Sequence, residues 1–67
     1  MNIKNEFTEP ECERFRKECN FTAQEMDVFN LRVKDHSIIQ IQEKLNMSEA
    51  TVNRRIRSIK AKIHKVM

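Results

Sequence analysis

There is no glycine anywhere in these 67 residues. Tight two-residue hairpins need positive φ angles that glycine supplies most cheaply, so a glycine-free chain is poorly equipped for an antiparallel sheet. Helices are the alternative. Where a helix must end in a left-handed residue, Asn, Asp or His has to take the position. The length permits one domain with one core, and a core this small is marginal unless helices pack efficiently or a partner contributes. Hydrophobic residues make up 39% and charged residues 34%, a balance that supports a globular domain over a disordered tail. No apolar run is long enough to span a membrane, and the segment Met1-Asn2-Ile3-Lys4-Asn5-Glu6 lacks the apolar centre of a signal peptide. A cytoplasmic, nucleoid-associated location is therefore expected, with no membrane partner.

Capping signals divide the chain. Residues 1–7 read as a flexible arm. Thr8-Glu9-Pro10-Glu11 combines an N-cap, a first-turn proline and a capping-box glutamate, and Cys12, Phe15 and Cys19 follow at helical spacing, so a helix is expected over about 9–19. Asn20 breaks it. Phe21-Thr22-Ala23-Gln24-Glu25-Met26 starts a second helix, about 23–34, with Phe21 and Met26 placed for a hydrophobic staple. It stops at Lys34-Asp35-His36, where Asp35 or His36 is suited to positive φ. Ser37 and Gln40 form a third box for a short helix, about 38–45, that buries Ile41 and Leu45. Asn46-Met47-Ser48 is the next break, with Asn46 left-handed and Ser48 the cap of a helix over about 49–65. Its apolar residues Val52, Ile56, Ile59, Ile63 and Val66 repeat at intervals of four, three, four and three. The sequence thus predicts an all-α fold, a small four-helix domain over residues 8–67.

Cys12 and Cys19 stand seven residues apart, two turns along one helical face and too distant for a disulfide within a helix. They read as buried thiols. With only His36 and His64 as further soft ligands, no zinc spacing exists, and no metal or other cofactor is expected. The two histidines read as surface residues. Charge is distributed unevenly: residues 1–30 hold four basic side chains against seven acids, and residues 31–67 hold nine against three. A basic second half points to a polyanionic partner on one side of the molecule, although basic helix faces are often only solvated.

The short helix, the break at Asn46-Met47-Ser48 and the long helix have the form of a helix-turn-helix, with Met47 as the apolar plug in the corner. At 100° per residue the stripe from Val52 to Val66 falls within about 40° on one side, which reads as core in preference to a coiled-coil seam. The opposite side carries Ala50, Arg54, Arg57, Ala61 and Lys65, flanked by Asn53, Ser58 and His64. Small Ala50 permits close approach to bases, while Asn53, Arg54 and Arg57 are the side-chain types that read adenine and guanine edges. These four are the candidate base-reading residues. Thr51, Arg55, Ser58, Lys60 and Lys62 lie to the sides, where phosphates flank a docked helix, and Ser37 begins a helix whose amides can meet another phosphate.

From Phe21 to Ile63, these 43 residues resemble two bacterial families. One is the LuxR-type output domain, with its leucine-threonine start, its serine-led helix and its S-E-x-T-V signature, here Ser48-Glu49-Ala50-Thr51-Val52. The other is region four of sigma-70-type factors. Phe21-Thr22, Leu31-Arg32, Ile41 and Leu45 also match. The resemblance implies that Asn53, Arg54 and Arg57 face bases and that Thr51 meets a phosphate. A helix ahead of Phe21, the Leu31-Arg32 pair and a chain closing on the long helix, where LuxR-type domains add a dimerisation helix, lean toward region four. Gln42 departs from both patterns, standing where a small residue usually lets the motif helices approach. Asn46 likewise stands where glycine is common, and no sigma region two is present.

Sequence-specific binding of double-stranded DNA in transcription regulation is the function expected, with RNA polymerase and a second copy of the chain as further possible partners. The competing function is a protein-interaction module docking on polymerase or a regulator, for which Glu9, Glu11, Glu13 and Glu18 offer an acidic surface. No nucleophile and base stand together as in an enzyme, and exposed aromatics for stacking RNA bases are lacking.

Overall fold

A computed structural model describes residues 7–67 and places four helices in them: α1 (Glu9–Glu18), α2 (Ala23–Val33), α3 (Ile38–Leu45) and α4 (Glu49–Val66). Each boundary lies within one residue of its expected position. Of the anticipated arm, residues 1–6 lie outside the described residues. Phe7 joins the domain instead, its ring edge-on to Phe15 with centroids 4.7 Å apart.

All four helices begin as their capping residues dictate. Thr8, Thr22 and Ser37 each accept a hydrogen bond from the backbone N–H three residues on, and Glu11, Glu25 and Gln40 return the bond to the cap N–H. Ser48 accepts from the Thr51 N–H. Such caps satisfy donors that a helix start otherwise leaves open, each contributing about 1 kcal/mol.

The helix ends also follow one plan. Asn20, Asp35 and Asn46 take positive φ of 55°, 70° and 54°, and in each case the next helix is capped two residues later, by Thr22, Ser37 and Ser48. The corner after α2 is a Schellman motif: the His36 N–H returns to the Leu31 carbonyl at 3.0 Å and the Asp35 N–H to the Arg32 carbonyl at 3.0 Å. After α3 the Met47 N–H returns to the Gln42 carbonyl at 3.1 Å. The residue between left-handed position and cap turns inward each time. Phe21 and Met47 pack on the core, and His36 is half-buried with Nδ1 3.1 Å from the Leu31 carbonyl, so it is a corner residue and not the surface residue expected.

α4 is the spine on which α1, α2 and α3 pack. Val52, Ile59 and Ile63 are fully buried against Val28, Phe29 and Ile41, with Cys12, Phe15 and Cys19 closing the core from the first helix. Ile56, Val66 and Leu45 are only partly buried at its margin. The two cysteines are free and buried, and burial raises both thiol pKa values. Phe21 lies against Phe29 with centroids 5.1 Å apart. Arg16 bridges α1 to α2: Nε donates to Asn30 Oδ1 at 2.9 Å, and the guanidinium sits 5.6 Å from the Phe29 ring centre. Arg14 ties α1 to the far end of α4 by donating to the Val66 carbonyl at 2.9 Å.

The left-handed corner at Asn46 sets the angle between α3 and α4, so its conformation is testable. Asn46→Val is expected to lower stability by about 1–2 kcal/mol, because a β-branched side chain clashes in that region. Asn46→Gly is expected to remain within about 1 kcal/mol of the parent. Thermal unfolding of the two variants checks this.

Candidate nucleic-acid interface

The outward side of α4 follows from what its inward side buries. With Val52, Ile59 and Ile63 in the core, Ala50, Asn53, Arg54 and Arg57 emerge exposed. None of the three polar side chains has a hydrogen bond or ion pair among the described residues. The four expected base-reading positions therefore form one open surface on the first half of a helix about 27 Å long.

The flank of α4 that faces α2 is a different environment. Arg55 Nε donates to Gln24 Oε1 at 3.0 Å. One helical turn further, Ser58 Oγ donates to Glu25, and a turn beyond that Lys62 Nζ donates to the other oxygen of the same carboxylate. Ser58 and Lys62, expected to meet phosphates, are thus turned to the protein's own body. Glu25 accepts from both and pairs with the Lys62 charge, and Lys62 Nζ also donates to the Asn20 carbonyl at 3.4 Å. Thr51 is half-buried, its Oγ1 accepting from Ser48 Oγ at 2.9 Å. Lys60, on the opposite flank, is half-buried and has no side-chain partner among the described residues. Ser37 is engaged in its capping box, its N–H donating to Gln40 Oε1 at 2.8 Å. The free amides of that turn belong to Ile38 and Ile39, and Ile39 is 66% exposed.

Glu25 is the functional residue whose second role the sequence concealed. Its glutamate reads as a capping-box residue, and it does receive the Thr22 N–H at 3.0 Å. It is also 4% exposed, the one buried charged residue among those described. Burial pushes its carboxyl pKa up. Hydrogen bonds from Lys62, Ser58 and the Thr22 backbone, with the Lys62 charge, outweigh that and bring it down to about 2. The only advance signal was a lysine and a serine on α4 four residues apart.

The acidic surface proposed for α1 is largely spoken for. Glu18 pairs with Arg14 at 2.8 Å and Glu13 with Arg16 at 2.7 Å, while Glu11 closes the Thr8 box. Among the described residues no group of three or more His, Cys, Asp or Glu is placed to hold a metal. No helix among the described residues is long and apolar enough to cross a membrane.

A corner-joined pair of helices with the second one presenting an unpaired polar face defines a helix-turn-helix domain. The family model for bacterial regulatory proteins of the luxR family matches residues 19–65, and the chain belongs to that family. The match spans α2, α3 and α4 and leaves α1 ahead of it. Of the two resemblances in the sequence, this is the one the family comparison bears out, and it places the chain among bacterial regulatory proteins. No curated protein and no solved structure matches the chain.

The depressed carboxyl of Glu25 has a pH signature. Its folded pKa lies below the ordinary 4.5, so its contribution to stability is fully present above that value and is lost as pH falls from about 4.5 toward about 2. Denaturant unfolding between pH 2 and 6 is expected to show a loss on acidification that is smaller in Glu25→Gln. An identical pH profile in the two proteins would show that the carboxylate does not carry the effect.

Proposed function

We propose that this domain binds double-stranded DNA in a sequence-dependent way, as part of transcription regulation, by laying the first half of α4 in the major groove. The observation that carries this is the contrast between the two sides of α4. One flank is bonded to α2, while Asn53, Arg54 and Arg57 stand exposed and unpartnered beside Ala50. Open guanidinium and carboxamide groups on a firmly held helix are what base-edge recognition requires. Arg55, Lys60 and Thr51 then flank the groove toward phosphates, and the Ile38 and Ile39 amides at the start of α3 offer a further anchor. Membership of a family of bacterial regulatory proteins supports the same reading.

Docking on RNA polymerase or another regulator without DNA is the weaker alternative. Three of the four α1 glutamates that favoured it are already paired or capping. A reading helix of this size gains affinity from a second copy or a larger complex, so duplexes selected from a random pool are expected to reveal a half-site, repeated if the chain acts as a dimer.

On such a selected duplex, Arg54→Ala and Arg57→Ala are each expected to weaken binding by about 1–3 kcal/mol and to relax the preferred base at one position. Binding of the parent is expected to fall steeply with salt. Retention of full affinity and base preference in both variants, or binding indifferent to salt, would count against DNA reading and leave protein docking in its place.

A further inference from the structure

The α2-facing flank of α4 carries two cations, Arg55 in the first half of the helix and Lys62 near its C-terminal end, and the structure treats them oppositely. Lys62 is neutralised by Glu25. Arg55 is held by a neutral partner, Gln24, through a single bond from Nε to the carboxamide oxygen at 3.0 Å. Only that oxygen of the carboxamide can accept from a guanidinium N–H, so the contact fixes which end of the Gln24 amide faces Arg55. The remaining donors are the two N–H bonds of the Gln24 amide and the four terminal N–H bonds of Arg55. None has a partner among the described residues. Gln24 is exposed and Arg55 half-buried, so the arginine is the anchored member and the glutamine the outer one. The positive charge survives because no carboxylate meets it.

A cluster of unpartnered N–H donors with a net positive charge suits a tetrahedral oxyanion. Resting on the DNA-binding reading above, we propose that Gln24 and Arg55 form a two-residue clamp for one backbone phosphate of the duplex. In it Gln24 is both a phosphate ligand and the residue that orients Arg55. The clamp brings the start of α2 into the interface as a contact element separate from the reading face of α4. It serves affinity and register, since phosphates are the same beneath every base pair.

The test uses the full chain and duplexes selected by the parent protein, with single phosphates replaced in turn by neutral methylphosphonate. Gln24→Ala is expected to weaken binding about three- to tenfold on all duplexes alike, the loss typical of one hydrogen bond. Arg55→Ala is expected to lower the salt slope by about 0.9, the value for one lost phosphate contact, whereas Gln24→Ala leaves that slope in place because the amide has no charge. One methylphosphonate position should weaken the parent yet leave the Gln24→Ala, Arg55→Ala double variant unaffected. Gln24→Glu keeps an acceptor for Arg55 but repels phosphate, and is expected to bind more weakly than Gln24→Ala. If Gln24→Glu binds as the parent does, the glutamine only braces Arg55 and its ligand role is overturned. If Gln24→Ala matches the parent at every substituted phosphate, the clamp is overturned while base reading through Arg54 and Arg57 stands. If the parent selects no duplex at all, the DNA-binding reading itself falls.

Discussion

Rotation of α4 about its own axis is the constraint on which the candidate interface depends. Neighbouring residues of a helix are about 100° apart, so a slip of one position would carry Arg54 and Arg57 away from the open side and bring isoleucines out. Two kinds of force oppose this. The buried stripe of Val52, Ile59 and Ile63 gives a broad, non-directional preference. The bonds of Ser58 and Lys62 to Glu25 add direction, because both donors must reach one carboxylate that is itself fixed by the Thr22 N–H. A buried charge of this kind adds little net stability after desolvation but strongly disfavours arrangements that leave it unpaired. Apolar packing thus holds α4 on the core, and the polar contact selects which way it faces.

The corners between helices carry comparable weight. Each is a left-handed residue, an inward-turned residue and a cap in succession. Such brevity leaves little slack, so α2, α3 and α4 are held at defined angles by local backbone bonds as well as by the core. Gln42, which takes a position commonly small in related domains, is half-buried here, and its carbonyl receives the Met47 N–H. The corner after α3 closes with this larger side chain present.

Much of this was legible in the sequence because the determinants are local. Caps, left-handed asparagines and apolar spacing act over three or four residues, and the helix boundaries they imply agree with the structure to within one residue. The exposure of Asn53, Arg54 and Arg57 followed from the same periodicity. What could not be read were pairings across large sequence separations: Glu25 with Ser58 and Lys62, Gln24 with Arg55, Arg16 with Asn30. Angular position on α4 put Ser58 and Lys62 on its flank correctly, but a flank can face solvent or another helix, and only the placement of α2 decides which. The half-burial of His36 was hidden similarly, since it arises from a helix-end motif and not from apolar spacing.

The missing glycines have an effect beyond the native state. Every residue here carries a Cβ, so the denatured ensemble samples fewer backbone conformations than that of a typical chain of equal length, and less entropy is surrendered on ordering. Asparagine and aspartate at the three left-handed corners carry some strain that glycine would avoid, but they do not enlarge the unfolded population as glycine would. For a domain with nine buried apolar side chains among the described residues, economy in the unfolded chain helps a small core suffice.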